Sequence, residues 1–169
     1  PFSREVSRRL ANEDFSGVDY VFSWLGNVDL LLAIIKLMED KMNSDNDILE
    51  VGIQTILLVE DSVRFYSSVL PHLYKFLLKQ SLIFSTEALN EHEQMLRMRG
   101  RPKVILARTY EEAMTLYNKY KNEILGVITD VSFSRDGEKD KHAGIRLAKE
   151  RKEIAPYVPL IMVSSEPEN

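Results

Sequence analysis

The chain has 169 residues, enough for one domain with a substantial core and too few for two ordinary ones. Hydrophobic residues make up 44% and charged residues 28%, a soluble globular composition with no sign of disorder or a fibrous repeat. The longest apolar run, LLLAII at 30–35, falls far short of the roughly 18 residues a bilayer span needs, and no signal-peptide pattern is present. The absence of cysteine excludes disulfide staples and thiolate metal sites and fits a reducing cytoplasm. A net charge of −4 gives no general reason to bind nucleic acid. The acids are uneven: residues 1–53 hold ten acidic and five basic side chains, the remainder sixteen and seventeen. A start at Pro1 and an end on SSEPEN directly after an apolar run suggest a piece of something longer.

From residue 54 onward, strand-like and helix-like segments alternate. QTILLV at 54–59, KVILA at 103–107, ILGVIT at 124–129 and VPLIMVS at 158–164 are short β-rich runs of the kind buried on both faces. The segment from Ser62 carries Val63, Tyr66, Val69 and Leu70 at helical spacing, and Pro71 should kink or divide it. SLIFSTEALNEHEQMLRMRGRP reads as a further helix, an insertion at about 81–101 that ends near Gly100 and Pro102. Residues 110–120 place Tyr110, Ala113, Met114, Tyr117 and Tyr120 on one face, and 144–154 do the same with Ile145, Ala148 and Ile154. This alternation predicts a parallel sheet wrapped by helices.

In such sheets ligands gather at the carboxyl ends of the strands. Those ends hold Glu60 and Asp61 after the first run, Asp130 after the third, and Ser164 with Ser165 after the fourth. Two carboxylates about 4 Å apart repel by roughly 4 kcal/mol at an effective dielectric of about 20, so three in one crevice call for a cation. An all-oxygen set with room for water suits Mg2+ or Mn2+. Taken singly the signals have plainer readings: Asp61 before a helix suits an N-cap, Asp130 a loop acid, the serine pair a turn. His72, His92 and His142 show no ligand spacing, RMRGRPK at 97–103 reads as a solvated helix end, and no glycine-rich nucleotide loop exists.

On these residues, 54–165 resemble the receiver domain of bacterial two-component response regulators, the CheY-like family. LLVEDS matches the family's metal-binding acid pair at Glu60 and Asp61. VITDVSF matches the phosphoacceptor at Asp130, with the Ser132 carbonyl in the place of a further metal ligand. PLIMVSS puts Ser164 where the family has a Thr or Ser that contacts phosphate, and AGIRLAKE resembles the glycine opening the family's third helix. The insertion before the second strand and the long loop SFSRDGEKDKHAG depart from the pattern.

The family's remaining fourth helix, fifth strand and fifth helix resemble residues 3–41, ahead of the first strand. There an amphipathic helix and a glycine precede a strand DYVFS and a helix with Leu30, Leu31, Ile34, Ile35 and Met38 inward. Tyr20 would be the switch aromatic, and Ser23 stands in the place of a lysine that pairs with the phosphoryl group. The resemblance therefore implies a flavodoxin-like α/β domain with a parallel five-stranded sheet in the order 2-1-3-4-5. Its fifth strand would come from residues 1–43 of the same chain or, swapped, of a second one, joined by a linker at 44–53; the plain alternative is that 1–42 are a helical extension.

The function this implies is a signalling module, not a metabolic enzyme. Asp130 would accept a phosphoryl group from a histidine kinase or phosphotransfer protein, with Mg2+ held by Glu60, Asp61, Asp130 and Ser132, and would at most lose it by autodephosphorylation. An output domain would lie outside this chain, with no nucleic acid or membrane as partner. The main alternative is a pseudo-receiver, an unphosphorylated interaction or dimerisation module. A small Mg2+-dependent phosphatase is a third reading, set back by the lack of a second acid after Asp130.

Overall fold

The computed structural model describes residues 17–24, 26–86, 90–93 and 100–164. In chain order these form α1 (Asp29–Ser44), a π-helical turn (Asp45–Glu50), β1 (Thr55–Val59), α2 (Val63–Thr86), β2 (Lys103–Ala107) and α3 (Tyr110–Tyr120). They continue with β3 (Ile124–Asp130), β4 (Phe133–Arg135), β5 (Glu138–Asp140), α4 (Ala143–Ile154) and β6 (Leu160–Val163). The apolar runs of β1, β2, β3 and β6 pair in parallel as β2-β1-β3-β6, and β4 with β5 forms a separate antiparallel hairpin. This is the order 2-1-3-4 among the strands from residue 54 onward. Parallel strands need helical crossovers, which α2, α3 and α4 supply.

Two cores flank the sheet. On one face, α3 and α4 pack Tyr110, Ala113, Tyr117, Tyr120 and Leu147 against Leu57, Val59, Ile105 and Val127. On the other, α1 and α2 pack Ala33, Leu37, Tyr66, Leu70, Tyr74 and Leu77 against Leu58, Val104 and Leu106. The aromatic face expected for 110–120 is the buried one, capped at its start by Thr109, whose Oγ1 accepts from the Glu112 amide at 3.2 Å.

Other expectations are corrected. Pro71 does not divide α2, which runs on to Thr86 with Leu70 and Tyr74 packed in the second core. The insertion at about 81–101 begins as the end of α2 and is helical again at 91–93, while residues 87–89 and 94–99 lie outside the described residues. In α4 the buried side is Ala143, Gly144, Leu147 and Arg151, with Ile145 and Ile154 turned to solvent. In α1 the buried stripe is Leu30, Ala33, Leu37 and Asp40, whereas Leu31 and Ile35 are exposed. Residues 44–53, expected as a linker, stay helical to Glu50 and bury Ile48 in the first core.

The expected fifth strand at 19–23 does not form in this chain. Residues 18–24 have no strand structure and dock on α2: the Ser23 amide donates to Ser67 Oγ at 2.9 Å, Tyr66 donates its hydroxyl to the Val21 carbonyl, and Phe22 meets Tyr66 edge-on at 5.6 Å. Tyr20 and Phe22 are partly buried against the second core. Among the described residues β6 pairs only with β3, and Ile161 is 59% exposed. The preceding helix expected within 3–16 lies outside the described residues.

What fixes α1 to the sheet is a buried charge network. Asp40 is 0% exposed and accepts from Arg101 at 2.7 and 3.1 Å, from the Tyr74 hydroxyl at 2.9 Å and from the Val104 amide at 2.9 Å. Lys103 lies 3.7 Å from Asp40 and 2.8 Å from Asp47. Burial and the Asp40 carboxylate act oppositely on Arg101, and its pKa ends above the ordinary value. Removing one partner of such a network strands the others in the interior. Asp40→Ala is therefore expected to lower unfolding stability by about 3–5 kcal/mol, measured by urea denaturation. Asp40→Asn, which keeps the shape and loses the charge, should recover only part of that loss.

Candidate functional site

β1 and β3 are neighbours and run the same way, so the residues closing them emerge side by side. Val59 is in register with Thr129, which puts Glu60 next to Asp130. Oxygens of Glu60, Asp61 and Asp130 all lie within 4.8 Å of one another. The three acids expected to share one crevice do so. Ser164 directly follows Val163, the register partner of Asp130, and so stands exposed at the same end of the sheet. Ser132 follows Asp130 by two residues in the bend that leaves β3.

Each acid has a distinct environment. Glu60 is 2% exposed; its Oε1 accepts from the Ser62 amide at 2.9 Å. Burial pushes its pKa up to about 7, the Ser62 bond opposes this, and the charges of Asp130 and Asp61 add to the rise. Asp61 does not cap α2. That place belongs to Ser62, whose Oγ accepts from the Phe65 amide at 3.4 Å. Asp61 turns instead to the β4–β5 hairpin, accepting from the Ser134 amide at 3.0 Å and from Lys139 Nζ at 2.9 and 3.1 Å. Asp130 Oδ1 accepts from the Val131 amide at 2.7 Å.

The start of α4 presses on the backbone of Asp130. The Gly144 amide donates to the Val131 carbonyl at 3.0 Å, and a Cβ on Gly144 would lie 2.2 Å from the Asp130 carbonyl oxygen. Only glycine lets the helix approach so closely, so the glycine that the motif AGIRLAKE singles out lies against the backbone of Asp130.

The donor set fits a hard divalent cation. Around an octahedral Mg2+ with ligands at about 2.1 Å, adjacent oxygens are about 3 Å apart and opposite ones about 4.2 Å, so carboxylate oxygens within 4.8 Å of one another would draw in when the ion binds. Glu60, Asp61 and Asp130 supply the oxygens gathered there.

Sequence reasoning missed the hairpin and Lys139. The loop SFSRDGEKDKHAG folds as β4 and β5 joined by a two-residue turn, with Asp136 and Gly137 at φ of 50° and 81°. Asp-Gly between two short runs is the turn signal that could have found it. The hairpin is anchored by buried Phe133, stacked 6.5 Å from Tyr110, by Arg135 4.9 Å over the same ring, and by the Asp136 amide donating to Glu111 Oε1 at 3.0 Å.

Tyr20 and Ser23 lie elsewhere. The Tyr20 ring has the Arg108 guanidinium at 5.3 Å and Lys41 Nζ at 4.8 Å, and burial pushes its hydroxyl up to about 12. Ser23 is buried, bonded through its amide to Ser67, and its Oγ finds no partner among the described residues. None of these contacts is with Asp130.

No protein-family model matches the chain, and no curated protein does. Among solved structures it is similar to a response regulator receiver domain protein from Clostridium thermocellum, with 21% identity over 66% of this chain and a TM-score of 0.40. The match takes in 64% of that protein's length.

Two outcomes follow from this geometry. Gly144→Ala should cost about 1–3 kcal/mol and shift the amide resonances of Asp130 and Val131, because backbone atoms have to move to admit the methyl group. Glu60 gives a pH signature: between its ordinary value near 4.5 and about 7 the folded state holds a proton the unfolded chain has lost. Its contribution to stability is full below pH 4.5 and is lost as pH rises through 7. In EDTA, Glu60→Gln should flatten the fall in stability between pH 5 and pH 8 measured by denaturant titration.

Proposed function

We propose that this chain is a receiver-like phosphoacceptor in phosphorelay signal transduction, taking a phosphoryl group on Asp130 from a histidine kinase or phosphotransfer protein. The observation that carries the reading is the meeting of Glu60, Asp61 and Asp130 at the carboxyl end of a parallel sheet, with their oxygens within 4.8 Å. The motif resemblance at LLVEDS, VITDVSF and PLIMVSS points the same way.

An oxygen of Asp130 attacks phosphorus, the bond from phosphorus to the donor imidazole nitrogen breaks, and the electron pair stays on that nitrogen, which is then protonated. The product is an acyl phosphate on Asp130. Glu60, Asp61, Asp130 and the Ser132 carbonyl would hold Mg2+, which would offset the charge gathered by the acceptor and the phosphoryl oxygens. Gly144 fixes the backbone of Asp130, and the Ser164 hydroxyl, at the same sheet end, donates to a phosphoryl oxygen. Loss of the phosphoryl group to water is the only further chemistry assigned to the site. The setting is a soluble signalling protein of the cytoplasm; among the described residues no helix is long and apolar enough to cross a membrane.

A second reading, a pseudo-receiver that keeps the fold as an interaction module, draws on two observations. Lys139 already occupies Asp61, and Ser23, in the place of the family's phosphoryl-pairing lysine, is buried against α2. Incubation with phosphoramidate and Mg2+, read by intact-protein mass spectrometry, separates the two. The phosphoacceptor reading expects a labile single phosphorylation that EDTA prevents and Asp130→Asn abolishes. An unmodified wild-type chain at millimolar Mg2+ favours the pseudo-receiver.

A further inference from the structure

We propose that Lys139 is the resident counter-cation of the acid site, and that it must give up Asp61 before a divalent cation can be held there. The proposal rests on the phosphoacceptor reading for its metal and on the geometry of the hairpin for its lysine.

Three carboxylates within 4.8 Å of one another repel, by roughly 3 kcal/mol per pair at an effective dielectric of about 20. The chain answers this with its own ammonium group. Lys139 Nζ sits 2.9 Å from Oδ1 and 3.1 Å from Oδ2 of Asp61, straddling the carboxylate. The Ser134 amide adds a bond to Oδ2 at 3.0 Å. Ser134 and Lys139 are cross-strand partners in the hairpin register, so one rung of the hairpin grips Asp61 from both strands. The oxygens a metal would take are the ones this rung occupies.

The grip is built rather than incidental. The positions on either side of Ser134 and Lys139 are fixed by other contacts: Phe133 is buried, Arg135 stacks on Tyr110, and Asp140 receives the His142 amide at 2.8 Å and Arg146 at 3.3 Å. The hairpin strands are three residues each with a two-residue turn, so moving Lys139 off Asp61 needs only rotation of its own side chain. That side chain is 56% exposed, which gives the released ammonium water to enter. The lysine is thus held firmly enough to compete with a metal and lightly enough to yield.

The test is isothermal titration of the full chain with MgCl2 at low ionic strength, comparing wild type with Lys139→Met and Lys139→Arg, together with thermal melting in EDTA. Lys139→Met is expected to bind Mg2+ up to about fivefold more tightly than wild type, as removal of a competing exposed ion pair implies. It should also melt at a lower temperature in EDTA, with the gap closed by added Mg2+. Lys139→Arg, which keeps the charge, should stay near wild type in both. An unchanged or weaker Mg2+ affinity in Lys139→Met overturns the competition. If neither protein takes up Mg2+, the metal-dependent reading of Asp130 falls. EDTA melting then decides the lysine by itself: a lower melting point for Lys139→Met supports the counter-cation, and equal melting overturns it.

Discussion

Like charge brought together at the end of a parallel sheet is the constraint from which the functional half of this structure follows. Register between β1 and β3 leaves no freedom in the matter: once Val59 pairs with Thr129, Glu60 and Asp61 must emerge beside Asp130. The molecule relieves the resulting repulsion in two different ways. Glu60, the most buried of the three, is pushed toward its neutral form. Asp61, at the rim, is given a lysine. The first route uses desolvation and the second uses the β4–β5 hairpin.

The other end of the sheet shows the opposite arrangement, with charges buried for attachment. Arg101 and Lys103 are each 4% exposed and surround Asp40, tying α1 to the start of β2. Here cations outnumber the central acid, and Asp47 from the π-helical turn restores the balance through Lys103 at 2.8 Å. The network is closed and fully paired, whereas the site at the carboxyl end has an acid, Glu60, whose neutral form competes at pH 7. A buried pair contributes little to net stability against an apolar alternative, and its value is in fixing which face of α1 meets the sheet.

That choice of face marks the limit of what the sequence discloses. The four strands and the three acids were legible from short apolar runs, two of them closed by carboxylates, while the strand order came with the family resemblance; the fourth run, expected to be buried on both faces, has Ile161 and Met162 exposed. The face of α3 was legible because its tyrosines repeat at helical spacing. In α1 nearly every position from Leu30 to Ile35 is apolar, so periodicity does not select a side; a single acid, Asp40, selects it through partners more than 60 residues away. Tyr20 and Ser23 were placed on a strand because DYVFS resembles the family's fifth strand, but here the segment docks on α2, with Phe22 edge-on to Tyr66. The hairpin was legible in principle from Asp136-Gly137. Lys139 was not, since its role depends on a cross-strand register that only the folded turn establishes.

Lysine and a divalent cation are not equivalent answers to the acid cluster. A lysine brings one charge, tethered on the Asp61 side, and its pull on Glu60 is weaker than the opposing push of Asp130 and of Asp61. Burial then keeps Glu60 near pH 7 even with Lys139 in place. Lys139 thus neutralises the rim of the site and leaves its floor electrostatically unsatisfied. A small dication seated among all three carboxylates would act on the floor as well, because it brings twice the charge to within bonding distance of Glu60 itself. The ion pair therefore makes the cluster tolerable at its rim, while burial, ahead of the charges of Asp130 and Asp61, is what holds Glu60 toward its neutral form.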